Sequence, residues 1–270
     1  MILDLFRLDG QTAIVTGAGK GIGRAIALAF ADAGANVVAA ARTQADIDDT
    51  ANEVVKRGRR ALAVKCDVMQ REDLENVVAR ALAEFGRIDT LVNNAGRWRR
   101  TLVTDPWEKA LADWDFIMDT NLRGLLLLSR ACVPQLVAAG GGDIVHVSTY
   151  YVLPAKSTGT NSPETDLYNA SKWALNGFTE AWARVLAPKR VRVNALCMGA
   201  CDTPMLRGLW EGDPPADFAA SWMKPAQIAQ QLLDLLGEGP SGRTGQNIGA
   251  WVGEPVVLPP PYPPHRAVTG

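Results

Sequence analysis

"TAIVTGAGKGIGRAIALAFADAG", residues 12–34, is the stretch whose reading decides the fold. It opens as a β-rich run, Thr12 to Gly17, and then changes period. Ile22, Ile26, Phe30 and Ala33 recur every three or four residues, the spacing of one helix face, and Gly34 supplies the stop. Between the two patterns lie Gly17, Gly19, Gly21 and Gly23. Glycines there let the backbone turn sharply and approach a pyrophosphate, whose charge would rest on the N-terminal dipole of the helix beginning near Gly21. A glycine turn alone does no more than join elements. Strand before it, helix after it and a second strand ending about twenty residues on are the context of a dinucleotide site.

Outward from this unit the same alternation continues. "NVVAAA" (36–41), "ALAVKC" (61–66), "IDTLVNN" (88–94), "GDIVHVS" (142–148) and "VRVNAL" (191–196) read as strands, with helical stretches clearest at 70–85, 107–138 and 164–187. Strand then helix, repeated, predicts an α/β fold: a doubly wound, Rossmann-type parallel sheet with helices on both faces, in a single domain. Neither an internal repeat nor a linker interrupts it before residue 250, so the domain is expected over 1–252. The tail, 253–270, is too rich in proline for a helix or a central strand; it should run extended, over a neighbouring subunit.

Composition narrows the partners. A chain of 270 residues, 47% hydrophobic and 21% charged, can bury a large core, and a formal charge of −1 offers no basic field for nucleic acid or anionic lipid. Small-molecule substrates are the expectation. No apolar run is long enough to span a bilayer and the start "MILDLFRLDG" is too short and acidic for a signal peptide, so a soluble, cytoplasmic protein is expected. Cys66, Cys132, Cys197 and Cys201 lack metal-ligand spacing, and His146 and His265 lie far apart. They read as reduced structural thiols, with no metal site.

Two sites carry chemistry. At the end of the second strand, where an NAD-binding domain usually offers a carboxylate to the ribose, this chain has Ala41, Arg42 and Thr43. Arg42 can fork onto a 2′-phosphate, and Lys20 in the glycine turn adds a second positive charge, so NADP(H) is expected over NAD(H). The other site opens the helix "DLYNASKWALNGF", 166–178. Tyr168 and Lys172 stand one turn apart on one face, with Leu175, Phe178, Trp182 and Val185 expected as the buried stripe on another. An adjacent ammonium, and later a nicotinamide cation, would bring the tyrosine down from a pKa of ~10 toward the working pH.

With these residues in view, the sequence resembles the short-chain dehydrogenase/reductase family in its compact single-domain form, over residues 8–250. The motifs follow the family's order: "TGAGKGIG" (16–23), "CDV" (66–68), "NNAG" (93–96), Asn121 in "TNLRG", the hydroxyls of "HVSTY", "YNASK" (168–172) and "RVNALCMGACDTP" (192–204). By resemblance, Tyr168 is the proton donor and acceptor, Lys172 holds the nicotinamide ribose and tunes Tyr168, and Asn121 keeps a water for the proton relay. The turn residues through Ile22 and Gly23 would hold the cofactor, Asp67 and Val68 would flank its adenine, and Asn94, Ala95 and Gly96 would line its cleft. Gly199, Cys201 and Thr203 would face its carboxamide and pyrophosphate. A homo-oligomer, dimer or tetramer, is implied as well.

The sequence departs from the family pattern at three points. Counting along "DIVHV" makes Thr149 the catalytic hydroxyl, with Ser148 the alternative, since neighbouring strand residues face opposite ways. The stretch from Thr149 to Tyr168 is longer than usual, as though a loop were inserted at 156–163 beside the substrate pocket. Met198-Gly199 replaces the usual Pro-Gly, which loosens a loop without removing a chemical group. Pocket walls are expected from "RWRR" (97–100), the 150–162 loop and a lid at about 204–224. Trp98, Trp210 and Trp222 either line the pocket or pack; Arg97, Arg99 and Arg100 either meet an anionic substrate or are solvated loop cations. The leading expectation is an oxidoreductase moving hydride between NADP(H) and a ketone, aldehyde or secondary alcohol. Reduction of a C=N or activated C=C bond is the alternative, and an NADP-sensing module without turnover the third.

Overall fold

The first strand, β1 (Thr12–Thr16), is buried at every residue, as a strand must be when helices cover both faces of its sheet. The computed structural model describes residues 7–153 and 162–261. Around β1 lie β2 (Asn36–Ala41), β3 (Ala61–Lys65), β4 (Thr90–Asn93), β5 (Gly142–Thr149), β6 (Val191–Met198) and β7 (Asn247–Ala250). All pairings are parallel, in the order β3-β2-β1-β4-β5-β6-β7. The order reverses between β1 and β4, and this switch point opens the crevice used by ligands of doubly wound folds.

Alternate strand residues feed two cores. Ala13, Val15, Val37, Ala39 and Val145 face α1 (Gly21–Asp32) together with the late helix spanning Pro225–Gly237; Ile26 and Phe30 of α1 are wholly buried there, each contributing roughly 1.5–3 kcal/mol. Ile14, Val38, Ile144 and Val193 pack on the other face against helices that include α3 (Arg71–Phe85); α2 (Gln44–Lys56) joins the first layer through Ile47 and Val54.

The single helical stretch expected at 107–138 is three pieces: α4 (Trp107–Met118), a π-helical turn at Asp119–Arg123 and α5 (Gly124–Ala138). Asn121 sits in the π turn, a wider winding that a periodicity of apolar residues does not disclose. The helix of Tyr168 is α6 (Asp166–Leu186), followed by the short α7 (Pro204–Arg207), α8 (Ala216–Ala220) and the longer α9 (Pro225–Gly237). Strand β7 has four residues, one of them glycine, and was not expected. The described part of the tail lies on its own chain: Gln231 Nε2 donates to Val257 O (3.0 Å), Arg243 donates to Pro259 O (2.7 Å), and Val256 and Leu258 pack on the first core. Of the expected insert at 156–163, only Ser162 and Pro163 fall within the described residues.

Candidate active site

At the switch point lies a cavity of about 560 Å³. The glycine turn forms one end of its wall and is pinned from β4. Thr16 Oγ1 donates to Val92 O (3.2 Å) and accepts from the backbone N–H groups of Asn94 and Ala95, both at 3.0 Å; Asn94 Nδ2 donates to Thr16 O (2.8 Å). The Asn94 side chain therefore holds the turn itself. Gly17 has φ +65°, which glycine alone adopts at no steric cost, and a methyl on Gly23 would collide with the Gly17 carbonyl and the Asn94 amide. A turn with glycine at four positions that opens on a cavity at a helix start fits a bound pyrophosphate. Gly17, Gly19, Lys20, Gly21, Ile22, Ala95 and Gly96 line the cavity, while Gly23 lies behind as packing.

At the far end Tyr168 and Lys172 line the same space. The face they share is not separate from the buried stripe, as the sequence suggested, but continuous with it: Asn169, Ser171, Lys172, Leu175, Thr179, Ala183 and Leu186 are the buried positions of α6. Val185 is 66% exposed, and Phe178 and Trp182 stack half-buried at 4.8 Å. Helical periodicity names a face; the neighbours decide which face is covered. Burial has a second consequence, contrary to the expected tuning. It pushes the Tyr168 phenol above its ordinary value, with Tyr151 nearby adding to the rise. Lys172 itself is pushed down to about 8 by burial, and its Nζ lies 5.7 Å from the Tyr168 ring centroid while donating to Val147 O (2.9 Å). In the chain alone, desolvation outweighs the ammonium.

Asn121 is 1% exposed and its amide is saturated: Oδ1 accepts from Arg97 N (2.8 Å), and Nδ2 donates to Arg97 O (3.1 Å) and Ser171 Oγ (3.0 Å). Ser171 in turn donates to Tyr168 O (2.7 Å). The amide thus ties the loop after β4 to the first turn of α6, a positioning role that spacing did not reveal for either Asn121 or Ser171. On β5, Ser148 and Thr149 both line the cavity, yet the Ser148 hydroxyl is sealed from solvent and has the buried Cys197 thiol as its neighbour. Thr149 Oγ1 accepts from Tyr151 N (3.4 Å), which leaves its own hydrogen to donate.

The chain is similar to known proteins. A family model described as short chain dehydrogenase matches residues 11–214. The chain belongs to the short-chain dehydrogenase family. It is 34% identical to the 3-oxoacyl-[acyl-carrier-protein] reductase FabG of Thermotoga maritima over 247 residues, covering 90% of this chain and 97% of the relative. It is 36% identical over 255 residues to the bovine dehydrogenase/reductase SDR family member 4, covering 89% and 86%. Among solved structures, a short-chain type dehydrogenase/reductase from Mycobacterium marinum superposes with TM-score 0.78 at 31% identity, covering 93% of this chain and 97% of that one. A 3-ketoacyl-(acyl-carrier-protein) reductase from Brucella melitensis, complexed with NADH, gives 0.76 at 30%, covering 90% and 97%.

The remaining expected residues of this short-chain dehydrogenase fall at the two ends of the cavity. Arg42, Thr43, Asp67 and Val68 line one end, and Gly199, Cys201 and Thr203 also border the cavity. Among the described residues Arg42 is exposed and makes no ion pair, whereas Lys20 Nζ is held 3.0 Å from Asp46 Oδ2. Asp46, in the first turn of α2, is a cavity residue that the sequence reading missed. Asp67 Oδ1 accepts from Met69 N (3.1 Å), which shapes its loop. Burial pushes the Cys201 thiol up to about 12, so it is inert.

The arginines and tryptophans divide. Arg99 pairs with the buried Asp113 (2.6 Å), Arg100 pairs with Glu164 (2.6 Å), and Arg97 stacks on Phe116 (4.4 Å) while lining the cavity. Trp98 lines the cavity too. Trp210 and Trp222 instead pack with Phe218, the three ring pairs lying 5.4–5.8 Å apart, inside the expected lid. Asp202 anchors that segment by accepting from Arg207 (2.6 Å) and Lys224 (3.0 Å), cations that hold its carboxyl down to about 2.

Proposed function

We propose that this short-chain dehydrogenase is an NADP(H)-dependent oxidoreductase acting on a ketone or aldehyde and the corresponding alcohol. The observation that carries the reading is one continuous cavity lined both by the glycine turn and by Tyr168 with Lys172. When bound, the nicotinamide supplies the hydride, so that ketone, NADPH and one proton give secondary alcohol and NADP⁺. The turn, Asp67, Val68 and Thr203 hold the cofactor, and Arg42, with no ion pair among the described residues, meets the 2′-phosphate.

Tyr168 gives its proton to the carbonyl oxygen as charge develops there. Its raised pKa keeps it protonated beforehand, and Lys172, at about 8, stands close enough to neutrality to replenish that proton. Thr149 donates to the same oxygen, since the Ser148 hydroxyl is sealed away. Asn121 and Ser171 hold α6 and the 97 loop in register with them.

The protein works as a homo-oligomer in this reading. Trp107, Leu111 and Trp114 repeat along one side of α4 with 83%, 63% and 50% of their surface exposed, more apolar area than a solvated helix carries. Light scattering giving a monomer would remove this part. The catalytic part is tested with Tyr168→Phe, which deletes one dissociable proton. Turnover of ketones with NADPH should fall about 10²–10⁴-fold with NADPH affinity kept; loss of less than a few-fold would move the acid elsewhere.

A further inference from the structure

The cavity is also lined by a group of side chains without an assigned role. Tyr150 and Tyr151 follow Thr149 directly, and both line the cavity together with Trp98, Met205 and Leu209. The tyrosines are held as a rigid pair: their rings lie 4.8 Å apart at 40°, and Tyr150 stands edge-on to Trp251 at 5.6 Å and 90°. Gly199 closes on Tyr150 from the β6 side, so closely that a methyl there would lie 3.2 Å from its ring. Both tyrosines stay half-buried, and Met205 and Leu209 leave 50% and 41% of their surface uncovered. The carboxylates that line the cavity, Asp46 and Asp67, belong to the Arg42 end. Tyr151 lies near Tyr168, so the cavity offers flat aromatic walls beside the proton donor, away from its carboxylates, and a partly uncovered apolar lining in Met205 and Leu209.

Resting on the carbonyl-reductase reading, we infer that the substrate is an aryl ketone, or its aryl secondary alcohol, whose ring packs on Tyr151. A planar ring gains from an aromatic neighbour beyond the area it buries, while a saturated ring of the same size does not. Tyr150 is fixed by Trp251 and Gly199, and Tyr151 rests against Tyr150, so little side-chain freedom is lost on binding. Tyr151 is in this account a specificity residue; the proton still comes from Tyr168.

The test compares acetophenone with cyclohexyl methyl ketone, which match in size but differ in aromaticity and in conjugation of the carbonyl; the change of their ratio between variants removes the intrinsic difference in reactivity. With NADPH, the kcat/KM ratio of aryl to cyclohexyl ketone should be about five- to tenfold higher in the wild type than in Tyr151→Leu, the size of one or two aromatic pairs. Tyr151→Phe should restore it, with NADPH affinity equal in all three. A ratio unmoved in Tyr151→Leu overturns the inference. Calorimetric binding of 1-phenylethanol against 1-cyclohexylethanol reads the same preference without turnover. If no ketone is reduced while NADPH binds, the reductase reading fails, and the aromatic slot stands or falls on that binding ratio alone.

Discussion

His146 sits in the middle of β5 with no exposed surface, beneath the helix that carries Lys172. Its Nδ1 accepts from Asn93 Nδ2 (3.3 Å), which places its proton on Nε2, and that nitrogen is buried without a partner among the described residues. Burial, aided by the charge of Lys172, pushes its pKa from 6.5 to about 3. The unfolded chain therefore takes up a proton near pH 6.5 that the folded protein refuses until about 3. Stability present at neutral pH is lost as the pH falls through that window, and between pH 7 and pH 5 the loss from this one group is about 2 kcal/mol. His146→Gln keeps an acceptor for Asn93 and cannot titrate. Urea unfolding followed by tryptophan fluorescence, for wild type and variant at pH 7 and pH 5 and one protein concentration, isolates the term. Other titrating groups, among them the buried Asp143, which is shifted the opposite way, occur in both proteins and cancel. The wild type should lose about 2 kcal/mol more than the variant. A variant that loses as much as the wild type would refute the argument and show that the folded protein accommodates the imidazolium.

The remaining expectations concern the site. Thr149→Val should slow turnover by the roughly 2.7–4 kcal/mol that a donor to a developing oxyanion contributes, and Ser148→Ala far less; the opposite ranking in steady-state kinetics would exchange their roles. Arg42→Ala should weaken NADPH binding by about 1.5–3 kcal/mol and leave NADH nearly untouched, while Ala41→Asp should go further and favour NADH. Titrations of both cofactors at fixed ionic strength check this, and a wild type that prefers NADH would overturn the NADP(H) assignment.

The order of elements was legible in the sequence because it rests on local patterns. The change of period across residues 12–34, repeated along the chain, requires a parallel sheet with helices on both faces, and glycines in the first turn leave a space that only glycines can leave. The spacing of Tyr168 and Lys172 likewise made them face one way before any neighbour was known. Which face that was depended on β5 and β6 packing beneath α6, and so Val185 lies in solvent while Lys172 is buried. The same non-local packing reversed the expected effect on the phenol, because desolvation depends on everything around a group and not on its sequence neighbours. Partners chosen across the fold were equally invisible: Asn94 holding the glycine turn, Asn121 clamping residue 97 through a π turn, Asp46 taking Lys20, Asp113 taking Arg99. A motif states which group is present. Its charge, its hydrogen bonds and its access to a ligand are set by atoms many residues away that the folded chain brings within a few ångströms.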